Sequence, residues 1–274
     1  MRGLRTASIL LGAVLAVALT ASPAAALSTN NLQWHRCEKG ASGPKFKDSA
    51  CTESLMSGEF GEGILGLSET REFKAKAVGA QVMEVDKEAI RCKGFSVASG
   101  AKVIGAGSEE LSGAEATVNY EECEVVGFPS CEINKAKAGS ATISTKPLTA
   151  IVAYASRAGA EKEEGNAVIV LAPKELTEEK KVLSTITLAG SCPFTTGKFN
   201  IEGELAFEDV SGAKHLLELE LSASSSPITK AYDNSGKSTH ELSIVVPKFL
   251  GLGMTYTGNG VVSLPSPVVW WLFH

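Results

Sequence analysis

Beyond residue 70, apolar and polar residues alternate along most of the chain with a period of two. Between Lys198 and Glu208, Phe199, Ile201, Leu205 and Phe207 share one parity, while Asn200, Glu202, Glu204 and Glu208 share the other. That pattern predicts a strand with one buried and one wet face. Leu217, Leu219 and Leu221 repeat it against Glu218 and Glu220. Further strands are predicted at 71–78, 81–85, 89–95, 101–106, 114–125, 140–145, 150–155, 166–172, 182–192, 240–246, 253–257 and 260–264. Gly258-Asn259-Gly260 is predicted as the turn of a hairpin, and 222–239 as a polar loop. One helical turn or two is predicted at Pro173–Lys181, with proline in the first turn and lysines at the end. Short strands in succession, with no substantial helix between them, point to an all-β fold. The expected architecture is an antiparallel β-sandwich, with a closed β-barrel as the alternative.

The segment Ala114–Ile133 reads as a strand, a turn at Gly127 and Pro129, and a returning strand. Cys123 and Cys131 flank that turn and are expected to face each other across a hairpin, close enough for a disulfide. Cys37 and Cys51 are the second local pair, and Cys92 with Cys192 remain. Cys92 shares parity with Ile90, and Cys192 with Ile186 and Leu188, so both are expected to point into the core as a bridge between sheets. Cys123 shares parity with Thr117, Asn119 and Glu121, which places it near solvent unless a bulge lies at Glu121-Glu122. The spacing of the cysteines is not that of a zinc site.

Arg2 and Arg5 precede an apolar run from Ile9 to Leu19, followed by Ser22-Pro23-Ala24-Ala25-Ala26. This has the form of a secretory signal peptide cleaved after Ala26, and the run is too short for a permanent span. An even number of cysteines, six, all beyond that site, fits an exported chain with three disulfides. The expected organisation is therefore a signal peptide at 1–26, a small cysteine-stapled segment at 27–70 and a β-sandwich domain at 71–274. Segment 27–70 has too few apolar residues for a core of its own and is expected to pack Trp34 on the main body.

The chain carries 26 basic and 31 acidic residues, net −5, and loss of Arg2 and Arg5 makes the mature form two charges more negative. Its charges are scattered, without the concentrated basic patch that nucleic acid or an anionic membrane needs. Candidate chemistry is sparse. The loop 231–238 ends in Gly236-Lys237-Ser238 but lacks the strand-to-helix setting of a phosphate loop. Ser42/Lys45, Ser99/Lys102 and Ser211/Lys214 have serine–lysine spacing, but all three sit at glycine-containing turns. Glu202 and Glu204 would stand on one strand face about 6.5–7 Å apart at Cα, as a glycosidase pair or simply as a solvated face. The four histidines are dispersed, and no cofactor or metal is expected. Trp34, Trp270 and Trp271 are the candidate surface contacts for a glycan or protein partner. The apolar end, Val268–Phe273, is expected to be a last strand or tail packed on the body.

The Cys37–Cys51 segment with Phe46-Lys-Asp-Ser-Ala-Cys51, the Ile90-Arg-Cys92 strand, the Cys123/Cys131 pair and Gly190-Ser-Cys192-Pro-Phe together resemble a group of exported, disulfide-containing, β-rich proteins of high-GC actinobacteria. The resemblance implies a compartment and carries no activity. The expectation is a secreted or cell-wall-associated protein with a non-catalytic binding or surface-structural role, its partner a cell-wall glycan or envelope protein. The rival is an extracellular hydrolase acting on a polysaccharide or cell-wall polymer.

Overall fold

The computed structural model describes residues 34–105, 113–155, 167–174, 181–211, 218–223, 228, 230–233, 240–264 and 270–271. The expected signal peptide, 1–26, and most of the expected helix, 175–180, lie outside the described residues, while Pro173 ends a strand. Among the described residues there is no helix, and every strand pairing is antiparallel. The fold is an all-β antiparallel sandwich.

One layer is built from four strands in the order Leu252–Ser263, Lys74–Val85, Glu88–Val97 and Val118–Val125, with Ala141–Ser144 beside the last. At one end of these strands the facing layer consists of Cys131–Ile133, Val182–Gly190, Gly197–Glu202 and Lys248–Phe249. Met83, Ile90, Val125 and Tyr256 from the first layer meet Ile133, Ile186, Leu188 and Phe249 from the second in one buried cluster. This is the dense end. At the other end the opposite wall is Leu148–Ala155, Ala167–Pro173, Leu205–Asp209 and Glu218–Ala223. Those strands are hydrogen-bonded to the first layer on both sides, through Gly113–Ala116 and through Leu252–Ser263. The two layers are thus joined through both of these strands there, while among the described residues His240–Ser243, laddered to Lys230–Asp233 alone, remains an edge.

The 198–208 run does not form one strand. It splits at Gly203 into Gly197–Glu202, in the dense-end layer, and Leu205–Asp209, in the other wall. Gly203 has φ +117, and a Cβ there would lie 2.7 Å from Pro247 Cα, so only glycine fits the crossing. The 258–260 hairpin is likewise absent. Gly258, Asn259 and Gly260 lie inside the continuous strand Leu252–Ser263, where the register against Lys74–Val85 shifts between Thr257 and Asn259. The glycines accommodate a bulge and not a turn. Part of the predicted 222–239 loop is a strand as well, Lys230–Asp233 against His240–Ser243.

Two of the three expected disulfides are corrected. Cys37–Cys51 forms, but the other bridges are Cys92–Cys123 and Cys131–Cys192. The 126–130 segment is a corner between layers, not a hairpin. Val118–Val125 pairs with Glu88–Val97, setting Cys123 directly opposite Cys92, while Cys131–Ile133 pairs with Val182–Gly190. Cys131 lies opposite Gly190, two residues from Cys192. Gly190 is in the left-handed region at φ +79, and a Cβ there would come within 2.2 Å of Ser130 O. Each of these two bridges therefore lies within one layer, and neither is the inter-sheet clamp expected of Cys92 and Cys192.

Cys123 is fully buried because the strand does carry a bulge at Glu121-Glu122. Ala141 faces Cys123 and Ile143 faces Tyr120, so both glutamates oppose Thr142 alone, and Glu122 has φ +52. Both glutamates stay exposed, and Glu122 meets Lys93 at 2.5 Å outside the sheet.

The N-terminal segment forms a small sheet in the order Lys45–Phe46, Phe60–Ile64, His35–Lys39 and Trp270–Trp271. Its cluster of Cys37, Phe46, Cys51, Ala50 and Phe60 surrounds the disulfide. The Asp48 carboxylate organises the loop by accepting from the backbone N–H groups of Glu53 at 2.8 Å, Ala50 at 2.9 Å and Thr52 at 3.2 Å. The Glu53 bond above all holds that carboxyl below its usual pKa.

Candidate functional site

Where the layers are joined through both Gly113–Ala116 and Leu252–Ser263, a partly open cavity of about 70 Å³ lies between them. Its wall draws on every surrounding strand: Ala75, Phe95, Val103 and Val262 from the long strands and their extensions, Ala114 and Val118 from the next, and Ala150, Ile169, Phe207 and Leu221 from the opposite wall. The cause is residue size. At inward positions where the dense end places Ile, Leu and Met, this end places Ala75, Ala114, Ala116 and Ala150.

Trp34 forms part of the wall and is 2% exposed. It immediately precedes the strand His35–Lys39, and its carbonyl accepts from Leu65 N–H at 2.9 Å. Its indole Nε1–H donates to the Gly113 carbonyl at 2.9 Å. Trp34 is therefore not the surface contact expected of it but a buried link between the N-terminal segment and the main body. Leu65, also fully buried, packs in the same cluster.

Tyr120 is the other lining residue with a polar side-chain group. Its ring borders the cavity, but its hydroxyl pairs with the hydroxyl of Tyr256. Tyr256 in turn donates to Gln81 Oε1 at 2.5 Å. The Gln81 amide donates to the carbonyls of Gly79 at 3.1 Å and Asn259 at 3.0 Å, so the fully buried glutamine is satisfied by the bulge that replaced the expected turn. Burial pushes the Tyr120 phenol up to about 12, the bond to Tyr256 opposing it, and pushes Tyr256 well above its usual value. Both are neutral donors at physiological pH.

A cavity this size is several times the ~10–15 Å³ a single water needs, but a water also needs two to four polar partners. The wall offers none, so the space is suited to apolar matter. Left empty, it costs about 2 kcal/mol at ~24 cal/mol per Å³. Each buried CH₂ returns roughly 0.8 kcal/mol, so a few carbons of ligand would offset that cost.

The remaining expected site residues are not gathered here. Trp270 and Trp271 form a two-residue strand opposite Arg36 and His35. Glu202 and Glu204 are separated by the Gly203 crossing, and Glu204 is buried. It accepts from Lys181 Nζ at 2.5 Å and from Val245 N–H at 2.7 Å, which makes it a pin for the crossing and not half of a carboxylate pair. Ala231–Asp233 belong to a strand, and 234–239 lie outside the described residues. No group of three or more His, Cys, Asp or Glu residues is placed to hold a metal among the described residues. The sequence did carry one signal for the cavity, alanines recurring at the inward parity of 114 and 116 next to Val118 and Tyr120.

Fold and site together define an antiparallel β-sandwich with three disulfides and an internal apolar cavity closed in part by its N-terminal segment. No family model, curated protein or solved structure matches the chain.

Proposed function

We propose that this is an exported protein, secreted or held at the cell wall, that binds a small apolar ligand in the cavity and does no chemistry on it. The cavity is the observation that carries the reading: a preformed apolar space inside a disulfide-stapled shell, kept open at a cost in stability. The three disulfides are compatible with an extracellular protein, and the signal-like start of the chain supports export.

The direct test is thermal unfolding of the mature protein, from Leu27, under xenon and under argon pressure, xenon being small enough for the space. Ligand in the cavity should raise Tm by about 2–4 °C for each kcal/mol of binding. Ala150→Leu, which projects carbons into the space, should abolish the shift. No shift in the parent protein, or an equal shift in the filled variant, would overturn the reading.

A further inference from the structure

We propose that the natural ligand is the methyl end of an alkyl chain, which enters the cavity with its polar group left outside and lies against Trp34. This rests on the binding role just given and narrows it to a ligand class. Each lining residue with a polar side-chain group has that group committed elsewhere: the Trp34 Nε1–H to the Gly113 carbonyl, and the Tyr120 hydroxyl to Tyr256. Tyr256 is itself engaged with Gln81, so a hydroxyl or carboxylate entering the cavity would meet no free partner and would lose its water. The site therefore rejects polar groups at any depth while accepting methylenes without preference. At about 70 Å³ the space takes a few carbons and not a whole lipid, so a longer ligand must keep most of its length outside.

The experiment uses the mature protein with Trp270→Phe and Trp271→Phe, which leaves Trp34 as the sole tryptophan and its emission as the readout. Octanoate, octanol and octylamine share a methyl end and differ in head-group charge, whereas octanedioate carries a carboxylate at both ends. The three single-headed compounds should bind with dissociation constants within about threefold of one another and shift Trp34 emission. Octanedioate should bind at least tenfold more weakly. Comparable binding of octanedioate, or a preference of more than tenfold for one head group, would overturn the inference, because a polar group would then be recognised. Binding of xenon without binding of the octyl series would overturn it too, in favour of a free small apolar molecule, and would leave the binding role intact. If neither xenon nor the octyl compounds bind, both proposals fall. Ala150→Leu in the same background should weaken every octyl compound equally.

Discussion

The two ends of the sandwich share their long strands but fill the space between them differently. At the dense end, Ile133, Ile186, Leu188 and Phe249 interdigitate with Met83, Ile90 and Val125, and two disulfides lie in the same cluster. At the hollow end, four alanines stand at comparable inward positions, and a cavity remains between walls joined through Gly113–Ala116 and Leu252–Ser263. Both ends are built of antiparallel ladders, and they differ in side-chain volume. A β framework closed by hydrogen bonds can tolerate an unfilled interior, because its walls are held by ladder and not only by packing.

Removing the dense-end disulfides is the strongest way to test whether the ends are separable. Replacing Cys92 and Cys123, or Cys131 and Cys192, by alanine should each cost about 4 kcal/mol, given closed loops of 31 and 61 residues. Urea unfolding under native conditions measures the loss. If xenon binding by the still-folded fraction vanishes with either bridge, the hollow end depends on the dense one and the contrast fails.

Opposite substitutions at the two ends should have opposite signs. Leu188→Ala opens a void in a well-packed cluster and should cost about 3 kcal/mol. Ala150→Leu adds volume where space exists and should raise stability by about 1 kcal/mol, read from the same denaturation midpoints. A loss at Ala150 as large as that at Leu188 would mean that the hollow end is as tightly packed as the dense one.

A separate effect lies at alkaline pH, where the tyrosine network joins the ends. Tyr120 binds its proton more tightly folded than unfolded, so its contribution is complete below pH about 10, the unfolded value, and is lost as pH rises towards about 12. Tyr256 shifts in the same direction. Stability should therefore decline over that window, and Tyr120→Phe should flatten the decline in a pH series of urea midpoints.

Local pattern exposed some of this and misled elsewhere. Leu219, Phe207 and Ile201 point inward as their parity requires, since a strand with one wet face has only one way to turn. The same alternation ran unbroken through Gly203, because the two flanking strands keep matching parity while lying in different layers. At Gly258-Asn259-Gly260 the turn residues were real, but they serve a bulge that feeds Gln81. The buried Trp34 was legible as packing on the body, but its place in a cavity wall was not, since that wall is assembled from strands more than 200 residues apart.

The sequence by itself determined the strands, their wet and dry faces, and a set of cysteines suited to oxidation, because side-chain alternation and residue type are local properties. Only the tertiary structure decided which strands became neighbours, and with that which cysteines met: Cys92 pairs with Cys123 because Glu88–Val97 lies beside Val118–Val125. It decided the cavity for the same reason. An empty volume belongs to no residue, and arises only where small side chains from many distant strands converge on one space that none of them fills.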